Sequence, residues 1–126
     1  MITIEQVMTE APLSVASGQS LSFALEKMKE HNVRHLPVME GGKLTGMLSE
    51  RDIRFIESYE KIDLKDLKVD DAYTDDPYTV IKEALVKDVC KDMAEKKLSS
   101  AMVVQNGQLI GIFTWIDALK VIQNHL

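Results

Sequence analysis

Only one cysteine, Cys90, occurs among 126 residues, which excludes an internal disulfide framework and fits a reducing compartment. Its surroundings, VKDVCKDM, place it on the apolar side of a helix, where a thiol packs as a small hydrophobe rather than acting as a nucleophile. No apolar run approaches the roughly 20 residues of a bilayer-spanning helix, so membrane insertion is not expected. The opening MITIEQVMTE lacks a basic start, a following apolar stretch and a small-residue cleavage site, and the expectation is a soluble, cytoplasmic protein. Basic residues are the minority, 15 Lys and Arg against 20 Asp and Glu for a net charge of −5. They are scattered among acids rather than gathered into a stripe, which argues against nucleic acid as a principal partner. Also missing are a Walker-type glycine loop, a metal-ligand cluster and a nucleophile with a nearby base, so no enzyme is expected. His31 and His35 stand four apart, but Asn32 and the strand after it break the helix that would align them on a metal.

What is present is a repeat. Pro12 and Pro77, Val15 and Val80, Met28 and Met93, Val38 and Val103, Gly46 and Gly111, and Asp52 and Asp117 are each separated by 65 positions. Thr9/Thr74, Glu30/Glu95, Gly42/Gly107 and Leu44/Leu109 keep that offset, and Ser49/Thr114 keeps it in chemical type. A gapless match of this length marks a tandem duplication, with repeats 1–61 and 62–126. Such a length allows one ordinary core, or two small ones that lean on each other.

Each copy has the same coarse pattern. APLSV and DPYTV read as short extended stretches, because proline disfavours helix in the residue before it and valine suits a strand. Leu21, Ala24, Leu25 and Met28, and then Val86, Val89, Cys90 and Met93, fall on one helical face. HLPVM and KLTGMLS flank EGG, and AMVVQ and QLIGIFT flank Asn106-Gly107, a pair suited to a two-residue hairpin. ERDIRFIESY and WIDALKVIQN close the copies as helices, with residues 60–68 as connector. The fold class is α+β, two β-α-β-β-α units that must cover each other's apolar faces, expected as a pseudo-twofold pair.

These ordered pieces resemble the tandem cystathionine β-synthase (CBS) domain pair, or Bateman module. The resemblance runs from VMTEAPLSV through VRHLPVMEGGKLTGMLSERDI, and again from AYTDDPYTV through SSAMVVQNGQLIGIFTWIDAL. It implies clefts between the repeats that take adenosine-containing ligands, AMP, ADP, ATP or S-adenosylmethionine, with no cofactor required. The chain is accordingly expected to be a standalone regulatory module of the energy-sensing kind, a homodimer that signals to an effector protein by conformational or assembly change. The alternative is a dimerisation or scaffold protein whose clefts hold no nucleotide.

Gly-x-x-Ser/Thr-x-x-Asp, in GMLSERD and GIFTWID, is the candidate grip. Ser49 with Asp52, and Thr114 with Asp117, sit at a strand end and in the first turn of a helix, three apart. A carboxylate can accept both ribose hydroxyls, the neighbouring hydroxyl can bond ribose or phosphate, and helix N–H groups favour an anion. The same residues suit plain helix capping, and both roles are compatible. Gly46 and Gly111 either admit a ligand or relieve crowding in a strand. By the resemblance, the segments holding Thr9, Pro12 and Leu13, and Thr74, Pro77 and Tyr78, line the adenine pocket, and Arg34 and His35 reach phosphates. Copy two has Ser99 and Ser100 there, so the two sites should not grip phosphate equally. Arg34 and His35 otherwise read as solvated residues at a strand entrance. Arg51 either steers phosphate or pairs with a neighbouring acid, and Trp115 is read as part of a contact surface.

Overall fold

The computed structural model describes residues 1–10, 13–60 and 62–126; Ala11, Pro12 and Lys61, and with them the expectation for Pro12, lie outside the described residues. The elements are α1 (Ile4–Val7), β1 (Thr9–Glu10), β2 (Val15–Ala16), α2 (Leu21–Glu30), β3 (His35–Glu40), β4 (Lys43–Ser49) and α3 (Glu50–Glu60). They continue as β5 (Thr74–Asp75), β6 (Thr79–Val80), α4 (Val86–Lys96), β7 (Ser100–Gln105), β8 (Gln108–Thr114) and α5 (Trp115–His125). Two 3-10 turns, Leu64–Asp66 and Val69–Asp71, stand between α3 and β5.

Local chemistry accounts for the boundaries. Helix α2 starts where the Ser20 hydroxyl accepts the Phe23 N–H at 3.0 Å. It buries Leu21, Ala24, Leu25 and Met28, the stripe read from their spacing. It ends where Asn32 turns left-handed (φ 52) and the Val33 N–H donates to the Met28 carbonyl at 2.9 Å. Helix α4 ends the same way, with Lys97 at φ 58 and the Leu98 N–H donating to Met93 at 2.9 Å. Asparagine tolerates that conformation; a lysine there is strained. Both hairpins close through two residues of positive φ, Gly41-Gly42 and Asn106-Gly107, as type I′ turns require. Each carries a register shift, between Val38 and Met39 and again between Val103 and Val104.

The sheets run β2-β3-β4-β5 and β1-β8-β7-β6. In each, a parallel pair (β2 with β3, β6 with β7) continues into the antiparallel hairpin. The outer strand comes from the other repeat: β5 pairs antiparallel with β4, and β1 pairs antiparallel with β8. Packing therefore groups Leu13–Pro77 as one unit, and Met1–Pro12 with Tyr78–Leu126 as the other. The repeats expected at 1–61 and 62–126 follow the 65-residue offset; packing divides the chain near residues 12 and 77.

A helical turn ahead of each outer strand belongs to the same exchange. Ile4 of α1 and Val69 of the second 3-10 turn, 65 positions apart, are both fully buried. The Ile4 N–H donates to Ala84 and the Val69 N–H to Gln19, each at 2.8 Å. Residues 60–68, expected as plain connector, also contribute Leu64 to the first core, and the Leu67 carbonyl accepts the Leu21 N–H at 2.8 Å. That core gathers around Leu21, Met28, Leu36, Leu48, Ile53 and Val69; the second gathers around Ile4, Val89, Met93, Val103 and Phe113.

Candidate functional site

In the unit Leu13–Pro77, strand β4 delivers Ser49 to the start of α3. The Ser49 N–H donates to Asp52 Oδ2 and the Asp52 N–H donates to Ser49 Oγ, both at 3.0 Å, a closed reciprocal cap. The Glu50 N–H donates to the Arg34 carbonyl at 2.9 Å, which ties the entrance of β3 to the same helix end. Strand register places His35 directly opposite Ser49. Arg34, His35, Ser49 and Asp52 thus converge at one helix start. Burial pushes the His35 imidazole below its usual 6.5; Asp52 pulls the other way and Arg34 adds to the lowering. Arg51, in the first turn of α3, is exposed, and among the described residues it makes no ion pair.

The other unit repeats the plan with different chemistry. The Thr114 N–H donates to Asp117 Oδ2 at 2.9 Å, and the Thr114 hydroxyl donates to the same oxygen at 3.3 Å. The Trp115 N–H donates to the Ser99 carbonyl at 3.1 Å, and Ser100 stands opposite Thr114. Ser100, in the place of His35, is buried.

Capping, one of the two readings of these pairs, is therefore what the side chains do here, and each carboxylate keeps Oδ1 outside the cap. The expectation that helix N–H groups stand open to an anion needs correction for α3. Two of them, on Glu50 and Asp52, are already committed to Arg34 and Ser49.

The glycines of the motif serve the outer strands. A Cβ on Gly46 would lie 2.5 Å from the Thr74 carbonyl oxygen and overlap the Tyr73 ring; on Gly111 it would overlap Met8 Sδ and lie 3.1 Å from the Thr9 carbonyl oxygen. Of the two readings offered for them, relief of crowding is the one the packing requires.

Thr9 and Thr74 are exposed on β1 and β5, opposite Ile112 and Met47. Leu13 is exposed at the start of its unit and Pro77 is half-buried at the end of it. Tyr78 is anchored to α4: its hydroxyl donates to Asp92 Oδ2 at 3.0 Å and the Lys96 ammonium lies 5.1 Å from its ring centre. Burial first, then the Asp92 hydrogen bond and charge, push its phenol up to about 12. Its carbonyl accepts the Met102 N–H at 2.9 Å. Burial also raises the Cys90 thiol, as an inert packed cysteine requires.

Sequence reasoning missed a hollow of about 310 Å³ lined by Asp52, Phe55, Ile56, Tyr59, Asp71 and Ala72. Its signal was available, since Asp52, Phe55, Ile56 and Tyr59 stand at i, i+3, i+4 and i+7 on α3. Phe55 and Tyr59 are 70% and 75% exposed, with rings 6.2 Å apart and nearly parallel. Among the described residues no group of three metal-binding side chains occurs, and no helix is long and apolar enough to cross a membrane.

A duplicated strand, helix, hairpin and capped helix with exchanged outer strands defines a two-unit α+β architecture. The chain belongs to the CBS domain family, whose model matches residues 4–58 and again 69–124. It is similar to inosine-5′-monophosphate dehydrogenase of Korarchaeum cryptofilum (strain OPF8), 36% identical over 106 residues. That match takes 83% of this chain but 21% of the dehydrogenase, so the chain spans about a fifth of that relative's length. Among solved structures it resembles the CBS domain pair of protein MJ0100 in complex with 5′-methylthioadenosine and S-adenosyl-L-methionine. Identity there is 22% and the TM-score 0.92, over 100% of this chain and 99% of that one. It also resembles CBSX2 in complex with AMP, at 26% identity and TM-score 0.84, over 98% of each chain.

Proposed function

We propose that this CBS pair is a regulatory module that binds an adenosine-containing ligand, AMP, ADP or ATP in the first instance, at the Ser/Thr–Asp helix starts. The observation that carries this reading is the convergence of Arg34, His35, Ser49 and Asp52 on the start of α3. It combines a carboxylate suited to ribose hydroxyls with a basic pair suited to phosphate. The AMP complex of CBSX2 supports the ligand class. The other copy offers Ser99, Ser100, Thr114 and Asp117, without a basic side chain at the matching places, and takes a less charged adenosine compound such as S-adenosylmethionine. Thr9, Leu13, Thr74, Pro77 and Tyr78 belong to the adenine side of these sites and Arg51 to the phosphate side. Pro12 is assigned to the adenine side from its sequence position alone. Signalling follows from differential affinity of the ligand for two conformational or assembly states. The module acts in the cytoplasm as a homodimer and passes its state to an effector protein.

The test is a thermal-shift panel of AMP, ADP, ATP, S-adenosylmethionine and adenosine on the wild type, Asp52→Ala and Asp117→Ala. Each variant is compared with its own ligand-free baseline, because losing a cap alone lowers the melting point. A ligand at 100 times its dissociation constant stabilises by about 2.7 kcal/mol. A shift removed by one of the two changes identifies the working site. A second reading, a scaffold without nucleotide, is favoured by the fact that capping already accounts for Asp52 and Asp117. Absence of any shift across the panel would establish it over the first.

A further inference from the structure

Resting on the nucleotide reading above, we infer that His35 is the specificity-determining residue of the Ser49–Asp52 site, admitting a phosphoryl group beside Asp52 by taking up a proton as the ligand binds. The starting point is a conflict of charges. Asp52 accepts the Ser49 N–H as the cap of α3, so its carboxylate is fixed at that helix end. A phosphoryl group arriving there meets a like charge. Two of the N–H groups that would soften the encounter are committed to Arg34 and Ser49. Arg34 and the exposed Arg51 bring permanent positive charge; a titratable one comes from His35, opposite Ser49 in the strand pairing.

Among the described residues, the charged groups that act on the imidazole include Asp52 from α3 and Arg34 beside it on the chain. Before ligand arrives, burial and Arg34 outweigh Asp52 and the ring favours its neutral form. An added phosphoryl charge joins Asp52 in favouring the imidazolium and offsets Arg34. Binding then takes up as much as one proton. Affinity rises as pH falls, by up to tenfold per pH unit between the imidazole pKa of the free site and that of the complex, and is flat on either side. The second copy is the internal control, because Ser100 stands where His35 does and does not titrate.

The experiment is calorimetric titration of AMP and of adenosine into the whole chain from pH 5.5 to 8.5, in two buffers of different ionisation enthalpy, for the wild type and His35→Gln. AMP itself titrates near pH 6, so the protons assigned to His35 are the difference between the two proteins. The expected result is an excess uptake approaching one proton for wild type with AMP, a reduced pH slope in the variant, and no excess with adenosine. The imidazole resonance of His35, followed by NMR in the unaltered protein, supplies a readout independent of the variant. It should titrate below 6.5 without ligand and at least one pH unit higher with AMP. An unchanged resonance, or equal uptake in the two proteins, overturns the inference while AMP binding upholds the nucleotide reading. No binding of either compound at the Ser49–Asp52 site overturns both.

Discussion

Replacing Gly46 by alanine should cost far more than replacing Gly111, although the two occupy the same place in the repeat. Gly→Ala in a strand gains about 0.4–1 kcal/mol by restricting the unfolded chain. Against that, a Cβ at Gly46 meets the Thr74 carbonyl oxygen at 2.5 Å as well as the Tyr73 ring. The carbonyl is held by strand β5, two residues long, so the clash is relieved only by moving that strand off β4. Overpacking of this kind costs roughly 1–3 kcal/mol, and a backbone obstacle belongs at the top of the range, leaving a net loss of about 2 kcal/mol. At Gly111 the obstacle is chiefly the thioether of Met8, which can swing away, while the Thr9 carbonyl at 3.1 Å has to give by only a few tenths of an ångström. The net loss there should be about 0.5–1 kcal/mol. Urea unfolding of both variants measures the difference. Met8→Ala should recover part of the Gly111→Ala loss in a double-mutant cycle, whereas Tyr73→Ala should recover little at Gly46 because the Thr74 carbonyl remains. Equal losses, or full rescue by Tyr73→Ala, would show that the outer strand is not held as described.

Lys97→Gly should stabilise by about 0.5–1 kcal/mol. Relief of a left-handed lysine at φ 58, about 1–2 kcal/mol, exceeds the entropic cost of glycine; a lower urea midpoint would contradict it. Tyr78→Phe should cost about 1 kcal/mol through the lost Asp92 hydrogen bond. In the wild type this phenol should stay protonated until about pH 12. Because the unfolded chain loses that proton first, near pH 10, Tyr78's contribution is complete below pH 10 and fades as pH rises towards 12. Absorbance at 295 nm, compared between wild type and variant, reports it. Leu119 and Ile122 of α5 are 49% and 50% exposed, and an 11-residue helix with no buried residue is expected to be covered by a second copy. Leu119→Glu should convert a dimer to monomer in sedimentation at micromolar concentration, and a wild type already monomeric there would refute the homodimer.

The repeat, both amphipathic helices, the hairpins and the closing helices were legible because they rest on local signals: 3.6-residue spacing, Asn-Gly chemistry and a constant offset. Ser49 and Asp52 could be marked as a pair, but their mutual cap was one of two readings until the bonds were seen. The outer strands were not legible. β1 and β5 are two residues long and carry no alternation to detect, and what makes them strands is a glycine elsewhere in the chain with no side chain to obstruct them. The turns around Ile4 and Val69 are legible only in retrospect, as apolar residues at the repeat offset whose burial depends on partners far away in sequence. The asymmetry of the two sites was visible directly, since Ser99 and Ser100 take the places of Arg34 and His35 at the repeat offset.

The exchanged outer strand also sets an order of events at the ribosome. The unit Leu13–Pro77 is contiguous, so it can close as soon as its own last residues have emerged. The other includes residues made before that unit and cannot be finished until β8 is made, since Thr9 waits for Ile112. At 5–20 residues per second that is a delay of about 5–20 s. Through that interval Ile4 and Met8 have no core to enter, and the nascent chain carries apolar residues in need of shelter. The unit that holds the earlier segment is thus the one completed later.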